Sequence, residues 1–317
     1  MVIPTYPEFA PLTLDARDIL YPALNLLPDG ISEFTFSRLY LFRNTYGSEI
    51  SQLTDEKFII SGRYKGRTFF YIPCCFPSME QFDELMLHFD YMRHLSECQA
   101  SKKRIELERR GYLVREDRDN FDYLYNREDL ATLNGRIYHK KRNLVNGFVS
   151  NYACEQRPLT KDRTADALLV LEEWRAAKGA EGDYAAAREA LECFDILGLR
   201  GAVYYIDNRP VGWCLGEPLA KGKMFAIHFE KAIDSYKGIY QFINQAFAQS
   251  LPKHYLQINR EQDLGDLGLR QAKMTYRPVG FVKKYTVDRP ELANVVPAPV
   301  EPPAECGPGT VHACDED

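Results

Sequence analysis

The chain has no long hydrophobic run. None of its apolar stretches approaches the roughly 18–20 residues that a helix needs to cross a bilayer, so a helical membrane span is not expected. The opening MVIPTYPEFAPLTLD has neither a basic start nor a long apolar core and does not read as a signal peptide. Eight cysteines occur without one Cys-x-x-Cys pair. That removes the usual zinc and dithiol signatures and fits reduced thiols in a cytoplasmic protein. Cys306, His312 and Cys314 lack a fixed ligand spacing, and no metal site is expected. Also missing are a Gly-x-Ser-x-Gly elbow, a Walker loop and an RNA-recognition signature, so no covalent enzyme nucleophile is indicated.

A broad basic coat is absent too. The formal net charge is -5, and between Asp288 and Asp317 seven acids face one base, Arg289. That terminal segment carries -6, which leaves residues 1–287 at +1. The segment is rich in proline and poor in large apolar residues. It cannot bury enough surface to offset its ordering entropy, and residues 288–317 are expected to be disordered.

What is present supports a substantial core: 317 residues, 45% hydrophobic and 13% aromatic, enough for one large domain or two ordinary ones. One plan of elements occurs twice. FSRLYLFRNTYG reads as a helix ending at Gly47, and EKFIISGRYKGRTFFYIPCC as strand, Lys65–Gly66 turn, strand. Ser78 with Gln81 is a capping box, and the stripe Phe82, Leu85, Met86, Phe89, Met92, Leu95 has helical spacing. A helix over SKKRIELERR stops at Gly111, and strands follow.

In the second half, ADALLVLEEWRAAKG and the stretch from Asp183 to Leu197 read as helices. RGAVYYIDNRPVGWCLGEPL reads as strand, turn, strand, and MFAIHFEKA as a further strand. Lys237–Gly238 opens a helix, HYLQIN is a strand, the charged segment from Asp263 a helix, and VGFVKKYTV the last strand. The turns at Lys65–Arg67 and Asp207–Arg209 are expected to be equivalent. The fold class is therefore α+β, with two mixed sheets flanked by helices. Residues 1–145 form one domain, 146–287 a second, and 288–317 the tail.

This order of elements resembles the GNAT acyltransferase fold in tandem. YHKKRNLVNGF (Tyr138–Phe148), HFEKA (His228–Ala232) and INREQDLGDLGLRQAKMTYRP (Ile258–Pro278) are similar to the C-terminal domain of phosphatidylglycerol lysyltransferases and its stand-alone relatives. The resemblance covers about residues 20–287. It implies transfer of an acyl or aminoacyl group from an activated donor, such as a charged transfer RNA or another phosphate-bearing acyl donor, to an amine or hydroxyl acceptor that stays open. The membrane part that the lipid-modifying members carry is not within these residues. A non-catalytic module that binds an anion or a partner is the alternative, followed by a coenzyme-A-dependent N-acetyltransferase.

His228 and Glu230 alternate with apolar neighbours on one strand and share a face. A neutral histidine or a glutamate of raised pKa there could take the acceptor's proton. Lys140, Lys141 and Arg142, followed by Asn143, suit a phosphate. Lys237 and Gly238 sit where GNAT enzymes cradle the coenzyme A pyrophosphate. Tyr240 stands in place of the usual second glycine, which disfavours coenzyme A, and no cofactor is firmly implied. Asp263 is expected to cap a helix starting near Leu264. The resemblance further places Asn259 in the substrate cleft, Asp263 in ordering its loop, Arg270 and Lys273 on a phosphate or carboxylate, and Tyr276 near the acceptor.

Overall fold

The computed structural model describes residues 2–54, 57–179 and 182–291. Most of the expected tail, with Cys306, His312 and Cys314, lies outside the described residues. Two compact units divide the chain. The first takes residues 1–122, 219–221 and the stretch from 281; the second takes 123–218 and 222–280. The change-over points at 122/123 and 280/281 fall within the strands Asp122–Asn126 and Gly280–Val282 and do not coincide with the sequence boundary at 145.

In chain order the strands are β1 (Ala10–Pro11), β2 (Glu49–Thr54), β3 (Lys57–Tyr64), β4 (Arg67–Tyr71), β5 (Tyr91–Ser96), β6 (Leu113–Glu116), β7 (Asp122–Asn126), β8 (Cys154–Pro158), β9 (Arg200–Ile206), β10 (Arg209–Leu219), β11 (Met224–Ala232), β12 (Gln257–Asn259), β13 (Gly280–Val282) and β14 (Lys284–Asp288). The first sheet has the order β1-β2-β3-β4-β5-β14-β6, and the second, read from its other edge, β8-β9-β10-β11-β12-β7-β13. The two orders match place by place. In each, the fourth and fifth strands are parallel, β4 with β5 and β11 with β12. In each, the sixth strand comes from the other half of the sequence and pairs antiparallel with the fifth. This repeated α+β plan of mixed sheets and flanking helices is the tandem GNAT-like fold.

Local chemistry fixes the punctuation. Ser78 and Gln81 form the reciprocal cap of the helix Met79–His88. Gly47 ends its helix with a left-handed φ of 57°. Lys65–Gly66 and Asp207–Asn208 are two-residue turns with positive φ at both positions. These two turns are not equivalent, however. The first joins the third and fourth strands of its sheet, and the second joins the second and third.

Other expectations are also corrected. Met92 and Leu95 lie on β5, because the helix ends at His88 and the chain turns back into the sheet. The helix from Asp183 breaks at Cys193 into Tyr184–Glu192 and Phe194–Leu197. VGFVKKYTV is two strands in different sheets: β13 sits beside β7, and β14 inserts between β5 and β6. Asp288 belongs to β14, where it accepts a 2.8 Å bond from Arg67.

Each unit has its own core. In the first, Phe70, Phe82, Leu85 and Met92 pack with Tyr285 and Val287 of the inserted β14. Burying a side chain the size of Val287 contributes about 1.5–3 kcal/mol. Lys284 on the same strand is fully buried and donates to Asp122 at 2.7 Å and to Glu33. Asp122 also accepts from the Ser32 amide and hydroxyl, both at 2.9 Å. A buried charge persists only when it is paired and hydrogen-bonded in this way. The second unit packs around Trp213, Tyr204, Phe225 and Phe229.

Candidate active site

The parallel pair in the second unit is short. Met224–Ala226 of β11 lie against Gln257–Asn259 of β12, after which β12 ends and β11 continues to Ala232. The chain beyond Asn259 is held by its own side chains. Asn259 is buried, and its Oδ1 accepts from the Glu261 amide at 2.7 Å. Glu261 and Leu264 have left-handed φ values of 56° and 54°. A short charged network forms where the two strands part.

His228 lies at its centre. Nδ1 is 2.7 Å from a Glu261 oxygen and Nε2 is 2.8 Å from a Glu217 oxygen. Burial disfavours its cation, but the hydrogen bonds to Glu217 and Glu261 outweigh this and push its pKa up to about 9. At neutral pH the ring is an imidazolium donating from both nitrogens, with no lone pair for a substrate proton. The expected neutral base is therefore corrected: His228 braces two carboxylates. It is not a metal ligand in this arrangement, and among the described residues no cluster of three or more His, Cys, Asp or Glu could hold a metal ion.

Glu230, two residues along the same strand, has a different setting. Both carboxylate oxygens accept from Arg260 Nη2 at 3.2 Å. Burial raises its pKa above the ordinary carboxylate value, against the opposing pull of Arg260, Lys231 and Lys273. A carboxylate shifted upward is a better proton acceptor near neutral pH.

The charged segment is more internally committed than expected. Asp263 is fully buried and accepts from Tyr123 at 2.6 Å, from the Gly265 amide at 2.9 Å, and from Arg270 Nε and Nη2 at 2.9 and 2.7 Å. Burial pushes its pKa up, yet the Arg270 fork, Tyr123 and the Gly265 amide hold it well below the usual range. With those oxygens occupied, the helix starts later, at Leu267–Met274, capped by Asp266, which accepts from the Leu269 amide at 2.7 Å. Gly265, with a φ of 84°, belongs to the loop and not to the helix. Lys273 donates to the carbonyls of Arg260, Glu261 and Gln262 at 2.7, 3.1 and 2.5 Å. An ammonium has three N–H bonds, so Lys273 clamps the loop and is not offered to a ligand.

Tyr276 is buried, with Lys141 4.5 Å and Arg260 5.3 Å from its ring centre. Arg142 donates to the carbonyls of Leu133 and Gly135. Lys140, Asn143 and Lys237 are exposed. Gly238 has a local structural reason: its φ is 92°, and a Cβ there would stand 2.5 Å from the Leu144 carbonyl. The Tyr240 hydroxyl accepts from the Ala232 amide at 3.3 Å and donates to the Ala232 carbonyl at 3.2 Å.

The structure thus brings His228, Glu230, Asn259, Asp263, Arg270 and Lys273 into one loop-and-strand network. Glu217, Arg260, Glu261 and Tyr123 were not singled out from sequence. A glutamate inside the apolar run of β10 was the one signal for Glu217.

The fold is that of an acyltransferase-like protein. The match to the family model described as phosphatidylglycerol lysyltransferase, C-terminal, runs over residues 24–288, and the chain belongs to that family. A conserved protein of unknown function from Bacteroides thetaiotaomicron is 30% identical, with a TM-score of 0.79 over 89% of this chain and 99% of that one. The C-terminal domain of a protein assigned as a lysylphosphatidylglycerol synthetase from Agrobacterium fabrum is 15% identical, with a TM-score of 0.57 over 87% and 91%. L-PGS from Bacillus licheniformis is 14% identical, with a TM-score of 0.55 over 78% and 90%. Among the described residues no helix is long and apolar enough to cross a membrane.

Proposed function

We propose that the chain transfers an activated aminoacyl group to an amine or hydroxyl acceptor at the parting of β11 and β12. The observation that carries this reading is Glu230: half-buried, with its pKa raised and its carboxylate held by Arg260, on the length of β11 beyond its last β12 partner. As the acceptor attacks the carbonyl carbon of the donor ester, its N–H or O–H proton passes to Glu230. The ester C–O bond breaks, and the leaving hydroxyl takes a proton in return. Catalysis then rests on orientation and proton transfer, with no covalent enzyme intermediate. His228, Asp263, Arg270 and Lys273 act as positioning residues that keep the loop after Asn259 in place.

The family's lysyltransferase members favour a charged transfer RNA as donor. Lys140 and Lys237 are exposed cations suited to its phosphates, and Gly238 beside Lys237 packs on Leu144, about one turn along the helix from Lys140. Tyr240 favours such a donor over coenzyme A, since it fills the first turn of the helix after β11 and its hydroxyl takes the backbone groups of Ala232 at the end of that strand. The binding-module alternative is weakened because Arg270 and Lys273 are spent within the protein.

The test is loss of label from transfer RNAs charged singly with radioactive amino acids, with hydroxylamine as a surrogate acceptor, for the parent chain and Glu230→Gln. The expected result is acceleration by the parent and a rate lower by about 10²–10⁴ in the variant, with unchanged unfolding. Full activity in Glu230→Gln refutes the role of Glu230. Transfer from acetyl-coenzyme A but from no charged transfer RNA refutes the donor.

A further inference from the structure

The two sheets share a detail that points to a second site, confined to the first unit. The last ladder partners of the parallel pairs are Phe70 with Met92 and Ala226 with Asn259. In both, the next residue along the chain is an arginine, Arg93 or Arg260. In both, the residue after it has a φ of 56°, His94 or Glu261. Such a φ on a side-chain-bearing residue is strained, and strain of this kind concentrates at functional positions.

The two arginines are used differently. Arg260 is neutralised by Glu230. Arg93 is only 3% exposed, and its guanidinium carbon lies 4.7, 4.9 and 5.7 Å from the ring centres of Tyr64, Phe69 and Tyr46. The nearby carboxylates are engaged elsewhere: Glu33 by Lys284, and Asp117 by the Asn120 amide at 3.0 and 2.9 Å. Arg93 lines a cleft together with Arg38, His94, Tyr46, Tyr71 and the Lys284-paired Glu33. His94 Nδ1 in the same cleft has no hydrogen-bond partner, its nearest carboxylate oxygen being that of Glu33 at 3.7 Å. A buried guanidinium with five donors, flanked by aromatic faces and with its nearest carboxylates bound to other groups, is suited to a planar or tetrahedral oxyanion carried on a ring or a small apolar body.

We propose that this cleft of the first unit binds an oxyanion, phosphate or carboxylate, through the guanidinium of Arg93, with the aromatic walls holding the group that bears it. The site is independent of the transfer reaction proposed for the second unit.

Isothermal titration of the full chain with phenyl phosphate, benzoate, inorganic phosphate and neutral phenol tests it. At least one oxyanion should bind and phenol should not; the preference between phenyl phosphate and benzoate identifies the anion, and inorganic phosphate shows whether the ring is needed. Arg93→Gln should weaken binding about tenfold or more, the scale of a lost hydrogen bond to a charged group. Lys237→Gln in the second unit should leave it unchanged. Where Arg93→Gln does not unfold cooperatively like the parent, Arg93→Lys replaces it, keeping the charge but not the fork, with the same tenfold criterion. No oxyanion binding, equal binding in the Arg93 variant, or a loss caused by Lys237→Gln instead overturns the proposal.

Discussion

The bracing of His228 makes the second unit's stability depend on pH in a direction opposite to acid-labile carboxylate pairs. The folded pKa is pushed up to about 9 from an ordinary 6.5. A raised histidine pKa contributes stability that is fully present below 6.5 and is lost as pH rises through about 9. At 1.36 kcal/mol for each tenfold, that interval comes to about 3 kcal/mol. Glu217→Gln keeps the size of one partner and removes its charge. The pKa of His228 should then fall, and the alkaline loss of stability, which still begins near 6.5, should become smaller and be complete at lower pH. Urea unfolding of parent and variant between pH 6 and 9.5 reads this as a difference, which cancels the other groups titrating in that range. Proton NMR of the His228 ring supplies its pKa directly. A ring titrating at or below 6.5, or a parent stability that is flat from pH 6 to 9, would refute the imidazolium bridge.

Asp263→Asn should destabilise the second unit by about 1.5–3 kcal/mol, because it removes the charge that the Arg270 fork binds and weakens the bond from Tyr123, and chemical denaturation measures it. The depressed pKa of Asp263 adds stability that is complete above its ordinary value of 3.8 and is lost as pH falls toward the folded value, so the variant should show a shallower acid transition below about pH 4. Gly238→Ala should cost about 1–3 kcal/mol through its left-handed φ and the clash with the Leu144 carbonyl, seen as a lowered Tm whether or not a ligand is bound.

What could be read from sequence was local. The Ser78–Gln81 cap, the glycine stop at Gly47 and the positive-φ turns depend on residues within a few positions, and the structure reproduces them. The alternation that put His228 and Glu230 on one strand was readable for the same reason. Their chemistry was not, because it depends on partners that only folding brings near: Glu217 and Glu261 lie 11 and 33 positions from His228. The helix start after Asp263 shows how such partners override a local rule. Asp263 has a good capping side chain, but Arg270 and Tyr123 claim its oxygens, so Asp266 caps instead.

The strand exchange is the larger case of the same limit. VGFVKKYTV has continuous strand propensity, and nothing within it states that the chain leaves one sheet and enters the other at Lys283. The reason lies in Lys284. Its ammonium meets Asp122 and Glu33, residues 162 and 251 positions away in the chain. A fully buried lysine in an otherwise apolar strand is costly unless two such carboxylates are waiting, so the registration of β14 in the first sheet is tied to a charge pairing as well as to apolar burial. A lysine pair preceding an aromatic strand was visible in the sequence, but it reads equally well as a solvated edge. Only the position of Asp122, the residue at which the first unit gives way to the second, turns it into a constraint on topology.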